Sequence, residues 1–136
     1  QSEGIADFFL NLPNMPEDFV PYWDMKAPGV DGLQSHVAVD SVPRDASAAA
    51  LIASGLYELC TYITPEKGKR YKSIADKIVG NLGRHYQAEP GTHYGFLLLH
   101  STGHHPGGSE IDVPLNYADY YYLEALKRYK DLKKFS

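Results

Sequence analysis

One cysteine, two methionines and one tryptophan in 136 residues set the first limits. A single thiol, Cys60, builds neither an internal disulfide framework nor a multi-cysteine zinc site. Long apolar runs are also missing. Nothing approaches the ~20 consecutive apolar residues that a membrane-spanning helix needs, and no signal-peptide pattern is visible. Positive charge is in deficit, with 13 Lys and Arg against 17 Asp and Glu and a net charge of -4. A general nucleic-acid binder needs a cationic surface to replace phosphate counterions, so that class is excluded. Phosphate loops and dinucleotide fingerprints are absent, so no cofactor is expected. Neither Ser47 nor Ser101 lies in a G-x-S-x-G turn, which argues against a serine nucleophile.

What is present reads as globular. The apolar fraction is 43% and the charged fraction 22%, ordinary values for a packed chain. The length suits one domain or part of a larger one. The chain opens on Gln1, and Gly4 to Leu10 reads as the tail of a helix, so a fragment of something longer or a trimmed product is expected. Eleven tyrosines are many for this length. A ring with a hydroxyl suits helix packing first and carbohydrate-facing surfaces second.

Gln1 to Asn11 is weakly helical. Leu12 to Pro43 follows as a long irregular stretch with five prolines, which repeatedly break the helical hydrogen-bond ladder. Loops of this length in compact domains are usually functional. The next helix is marked by Ala49, Ile52, Ala53, Leu56, Leu59, Cys60 and Ile63 at steps of three and four. Asp45 or Ser47 can cap it. Its other face is nearly all small, so burial on nearly every side is expected, and Cys60 reads as an inert core thiol. Thr64-Pro65 starts an amphipathic helix with a stripe of Tyr71, Ile74, Ala75, Ile78, Val79, Leu82 and Tyr86. Phe96 to Leu99 is a short strand or a buried extended segment. Ser101 to Pro114 is a loop. The last helix runs from about Asn116, the expected cap, to Lys134, with a mostly buried first half and basic residues suited to the dipole at its end. Buried helices alternate with half-exposed ones, the pattern of an all-α toroid or solenoid. The helix spacing is irregular, which disfavours a short-repeat array.

Candidate chemistry sits in the loops. His100, His104 and His105 lie near Glu110 and Asp112, but a glycine-rich loop offers no rigid ligand spacing, so solvated or ligand-touching histidines are expected rather than a metal site. Trp23-Asp24 and Arg44-Asp45 flank the long loop. An arginine–carboxylate pair can hold such a loop, and an arginine in a pocket can equally grip a substrate carboxylate. Trp23 is either a stacking platform for a sugar ring or core filler.

Three ordered stretches carry a resemblance. They are Val20-Pro-Tyr-Trp-Asp24; Pro43-Arg-Asp-Ala-Ser-Ala-Ala-Ala50 continuing to Ser54-Gly-Leu-Tyr-Glu-Leu59; and Leu97-Leu-Leu-His-Ser101 followed by Asn116-Tyr-Ala-Asp-Tyr-Tyr-Tyr-Leu-Glu-Ala-Leu126. Together they resemble the C-terminal part of glycoside hydrolase family 88, the unsaturated glucuronyl hydrolases of polysaccharide-degrading bacteria. The resemblance implies the last third of an (α/α)6 barrel, with residues 1–136 as one fragment of a single catalytic domain. It implies a substrate, an oligosaccharide ending in a 4,5-unsaturated uronate, and a partner, the missing N-terminal part of the same barrel. It places the catalytic aspartates upstream, so no catalytic residue is assigned here, and Asp24, Asp45, Asp112 and Asp119 are not promoted to replace them. Trp23, Asp24, Arg44 and Asp45 are expected to support or line the pocket, with His100 and His104 as further substrate contacts. The His100–Asp112 loop is where family members can contact the leaving sugar. Some carry serine and lysine there for sulfate. This loop has no lysine, which puts sulfate selectivity in doubt, while His104 or His105 is placed to meet an anionic sugar. The other readings are a non-catalytic helical module for glycans or peptides and an unsaturated rhamnogalacturonyl hydrolase. Compartment stays open between periplasm and cytoplasm.

Overall fold

A computed structural model describes residues 1–28, 30 and 42–134. Among them are four α-helices: α1 (Ser2–Leu10), α2 (Ala46–Leu59), α3 (Pro65–Asn81) and α4 (Asn116–Lys134). Among the described residues there is no strand, only isolated bridges that pin loops together. The stretch between α1 and α2 is irregular where it is described; Gly29 and residues 31–41 lie outside the described residues.

Asp45 starts α2. Its backbone is extended and its carboxylate accepts from the Ser47 amide at 3.0 Å, satisfying one of the free N–H groups at a helix start. The alanines Ala46, Ala49, Ala50 and Ala53 are fully buried. Their small side chains let α2 contact α1, α3 and α4 at once. Polar ties reinforce the α2–α4 contact. The Ser54 hydroxyl donates to Glu124, and Arg128 donates to the Ser54 carbonyl at 2.7 Å and pairs with Glu58 at 2.7 Å.

Burial of α2 on nearly every side is not met among the described residues. Leu51 is 48% exposed, and Gly55 and Glu58 are exposed beside it. A helix is buried all round only where it has neighbours all round, and among the described residues α1 is the helix that flanks this face. The result is an apolar groove of about 630 Å³ lined by Ile5, Phe9, Leu51, Ile52, Leu59 and Tyr62. The first half of α4 departs from expectation in the same way. Ala118, Tyr122 and Ala125 are buried, while Tyr117, Tyr120 and Leu123 are exposed.

Thr64 and Pro65 open α3 as the sequence implies, though the Thr64 side chain makes no capping bond and its carbonyl takes the Gly68 amide at 2.8 Å. Gly68 is needed for a close approach: a Cβ there would stand 2.7 Å from the Cys60 carbonyl oxygen. Tyr71, Ala75 and Ile78 form the buried stripe, which a π-helical turn at Leu82–Tyr86 extends. Ile78 and Leu82 are completely enclosed, each contributing about 1.5–3 kcal/mol.

Charge ties α1 to α3. Lys67 bridges Glu3 and Asp7, and Arg70 and the Tyr71 hydroxyl reach Asp7 at 3.0 and 2.7 Å. The Tyr71 hydroxyl, then Lys67, hold the Asp7 carboxyl below its ordinary 3.8. Bonds to Glu3 and Asp7 hold the Lys67 ammonium above its ordinary 10.5. A depressed carboxyl contributes stability above its unfolded pKa and loses it as pH falls through the folded value. A raised ammonium contributes below its unfolded pKa and loses it as pH rises through the folded value. The α1–α3 contact is therefore expected to be constant between about pH 5 and 9 and to weaken below about pH 4. Urea midpoints against pH check this, and Asp7→Asn should flatten the acid limb. The effect is small, because these groups are solvent-exposed.

Phe96 to Leu99 is an extended segment, not a strand. Leu98 is enclosed, the Ala88 amide donates to the Leu97 carbonyl at 2.9 Å, and the Leu99 amide donates to the Tyr86 carbonyl at 2.8 Å. α4 begins at Asn116 itself, with the Leu115 carbonyl receiving the Ala118 amide at 3.1 Å. Asn116 is thus the first helical residue rather than the cap. The acidic residue of that first turn, Asp119, reaches outside the helix and accepts from the Leu97 and Leu98 amides at 2.9 Å each.

Candidate functional site

The loops before α2 and before α4 meet at one end of the helices. The Tyr22 and Arg44 backbones bridge, as do Ser101 and Val113. The Ala46 amide donates to the His100 carbonyl at 3.0 Å, and the Thr102 hydroxyl donates to the Arg44 carbonyl at 3.1 Å. These bonds lock the two loops to the first turn of α2.

Arg44 is the frame of this end. Its side chain is 1% exposed and pairs with Asp18, whose side chain is fully enclosed. Arg44 also donates to the Val20 carbonyl at 2.8 Å and lies over the Tyr22 ring, 5.0 Å from its centroid. Asp18 further accepts from the Val20 amide and the Tyr86 hydroxyl, each at 3.0 Å. Burial pushes the Tyr86 phenol well above its ordinary range; the Arg44 charge opposes this and the Asp18 charge adds to it. Tyr86 therefore stays protonated and donating. Of the two roles the sequence leaves open for Arg44, this geometry fits the loop-holding one: its carboxylate is Asp18, 26 positions away, and a guanidinium so enclosed is closed to a substrate carboxylate.

Asp45 does face a pocket. Besides capping α2, its carboxylate accepts from the Ser47 hydroxyl at 2.5 Å and the Thr102 amide at 3.3 Å. With Ser47, Leu51, Thr102, Gly103 and Tyr117 it lines a cavity of about 330 Å³ between the first turns of α2 and α4. Burial raises the Tyr117 phenol, the Glu110 and Asp45 charges add to this, and its bond to Ser47 opposes it. Tyr117 is thus a hydroxyl at neutral pH. Gly103 lies close here: an added Cβ would meet the ends of the Tyr117 and Glu110 side chains, which would have to shift. Hydroxyls and one carboxylate around such a cavity suit the hydrogen-bonding edge of a polyhydroxylated ligand.

The remaining candidates lie around the rim. The His100 ring nitrogen Nδ1 meets the Asp112 carboxylate at 2.7 Å, and its ring stands edge-on to Tyr86 with centroids 6.0 Å apart. His100, Glu110 and Asp112 all have positive φ, at 61°, 52° and 53°. Each costs about 1–2 kcal/mol, held in place by the loop's bridges. His104 bonds Ser109 at 3.2 Å and packs over Gly107. Asp24 is used locally, accepting from the Lys26 amide at 2.8 Å. Trp23 stacks on His105 with centroids 4.1 Å apart and planes 6° from parallel. Ser101 is fully enclosed, and its hydroxyl has no partner among the described residues, which removes it as a nucleophile presented to a pocket. Also among the described residues, no three His, Cys, Asp or Glu converge as a metal site, and no helix is long and apolar enough to cross a membrane.

Sequence reasoning did not single out Asp18 or Tyr117. Asp18 carries no local signature, because its partners lie 26 and 68 positions away. Tyr117 was one of many tyrosines, and only its place in the first turn of α4 sets it apart.

No family model matches the chain. An unsaturated glucuronyl hydrolase of Formosa agariphila is 40% identical over 133 residues, 97% of this chain and 30% of the relative. An unsaturated chondroitin disaccharide hydrolase of Streptococcus pneumoniae is 33% identical over 132 residues, 95% of this chain and 31% of the relative. Among solved structures, an unsaturated glucuronyl hydrolase specific for heparin superposes with a TM-score of 0.85 at 47% identity, over 97% of this chain and 33% of that one. A variant of the Streptococcus agalactiae enzyme complexed with dGlcA-GalNAc6S gives a TM-score of 0.77 at 32% identity, over 95% of this chain and 32% of that one. The chain spans about 30% of the length of the curated relatives it matches. Sequence and helical arrangement agree: the chain is similar to part of the unsaturated glucuronyl hydrolases, glycoside hydrolase family 88, and matches about a third of their (α/α)6 barrel.

Proposed function

We propose that residues 1–136 form the C-terminal third of a single α/α-toroid catalytic domain in a glycoside hydrolase that removes 4,5-unsaturated uronate from the non-reducing end of lyase-generated oligosaccharides. In this reaction a carboxylic acid delivers a proton to the ring double bond and water adds at the adjacent ring carbon. The resulting hemiketal opens and releases the next sugar. The acid must hold a proton near working pH. No residue of this chain is given that role. Its part is to wall the site: Asp45, Ser47 and Tyr117 supply the hydrogen-bonding edge of the cavity, and the Arg44–Asp18 pair holds the loops that shape it. Separated carboxylates of the ordinary glycosidase kind are not needed, because cleavage follows hydration rather than displacement at the anomeric carbon.

The observation that carries this reading is the cavity at the first turns of α2 and α4, where Asp45, Ser47, Thr102 and Tyr117 edge a largely apolar wall, in a chain matching one third of the barrel at 40–47% identity. The exposed apolar faces of α2 and α4 support it, since the rest of a closed barrel would cover them.

The test follows the ultraviolet absorbance of the unsaturated uronate in chondroitin-, heparin- and pectin-derived disaccharides, sulfated and unsulfated. The polypeptide that carries this chain together with the rest of the barrel should bleach the absorbance, and the 136-residue chain alone should leave it unchanged. No bleaching of any substrate by the larger polypeptide would sink the hydrolase reading. Bleaching of pectin-derived substrates alone would move it to a rhamnogalacturonyl hydrolase.

A further inference from the structure

The Trp23–His105 stack is unexplained by anything above. Both side chains are only half-buried, yet their rings lie parallel at 4.1 Å and 6°. Trp23 belongs to the segment before α2. His105 sits at the tip of a small closed hairpin, the Gly103–Glu110 turn, in which the Gly103 amide donates to the Glu110 carbonyl at 2.9 Å and the backbones of His104 and Ser109 bridge. The turn is exposed at Gly103, His104 and from Pro106 to Glu110; its His105 alone is half-covered. Gly107 carries the His104 ring over it, and Gly108 turns the chain at φ 69°. The tip is thus an exposed turn fastened by one ring-on-ring contact. Its root is part of the cavity, because Gly103 lines it and lies directly against the Tyr117 hydroxyl.

We propose that His105 is a positioning residue. Its ring, clasped on Trp23, fixes the hairpin tip, and the turn closed by the Gly103–Glu110 bond transmits that position to Gly103 at the cavity wall. This assignment rests on the proposed hydrolase reading for what the cavity binds. It also revises the role of His105, which serves the loop rather than meeting an anionic sugar directly. An aromatic pair of this geometry is worth enough to hold a short loop in one position, though not enough to hold the fold. Losing it should therefore loosen ligand binding and leave chemistry alone.

The experiment uses the whole enzyme that carries this chain, with His105→Ala and His105→Phe. His105→Ala should raise KM about fivefold with kcat within about twofold of the unsubstituted enzyme, and His105→Phe, which keeps a flat ring, should restore KM. The clasp itself is read in fluorotryptophan-labelled enzyme by fluorine NMR, with the Trp23 signal identified by its loss in Trp23→Phe. That signal should move in His105→Ala and largely return in His105→Phe. An unmoved Trp23 signal overturns the clasp. A moved signal with unchanged KM overturns the positioning role. Absence of turnover in the unsubstituted enzyme would overturn the hydrolase reading instead, and the fluorine signal would still decide the clasp.

Discussion

Arg44→Met should cost about 3–5 kcal/mol of folding stability, because it strands a buried carboxylate. Asp18 has no water to fall back on, its side chain being fully enclosed. The Val20 amide and the Tyr86 hydroxyl would remain as donors, but neither carries charge. Adding Asp18→Asn to Arg44→Met should recover part of the loss, since the stranded charge is then gone. Urea unfolding of the single and double variants measures both effects. The outcome also separates the two roles open to this arginine. A substrate-gripping arginine would raise KM and leave stability intact. The enclosed geometry requires the reverse order of effects, with stability failing first, and a loss under about 1 kcal/mol would contradict it.

Asp119→Ala should cost about 3 kcal/mol, from two hydrogen bonds to a charged acceptor. The Leu97 and Leu98 amides both donate to this one carboxylate at 2.9 Å. Without it, two amides on an extended segment lose their partner, and the enclosed Leu98 loses its anchor. Asp119→Asn should fall between, because one amide oxygen still accepts while its NH₂ faces a donor. The segment runs directly into His100 and the loop around the cavity, so the Ala variant should also weaken substrate binding in the whole enzyme. Unfolding midpoints and KM together check this. A half-exposed aspartate that merely faced water would cost less than about 0.5 kcal/mol.

Much of the helical framework was legible in residue order. Periodicity and capping chemistry marked α2 and α3, because a three-four spacing and a Pro in the first turn are local instructions. The bounds of α4 were legible too, but its cap was not. Asn116 has the right chemistry for a cap, yet the chain enters the helix at that residue, and the first turn's acidic residue is committed to a segment about twenty positions earlier. The depth of burial was misjudged on α2 and α4 for one reason. Apolar patterning reports the surroundings a helix is suited to, and the described residues supply neighbours for only part of them.

The site divided along the same line. Asp45 beside an alanine-rich helix was readable as a cap, since its partner, the Ser47 amide, is two residues away. Its second use, accepting from the Thr102 amide 57 positions on, was not. The stack of Trp23 on His105 and the pairing of His100 with Asp112 likewise depend on loops whose paths no local rule dictates.

By itself, the sequence determined the all-α class, the positions of the helices, the lack of a disulfide framework, and a family resemblance that relatives and solved structures bear out. Those properties follow from local propensity, periodicity and ordered motifs, which survive in one dimension. The tertiary structure decided that Arg44 is buried against Asp18, that Tyr117 and Asp45 share a cavity, and that Trp23 is clasped by His105. Each of these joins groups distant in the chain, and the free energy of such a contact depends on burial and geometry that arise only when the helices and their loops have packed.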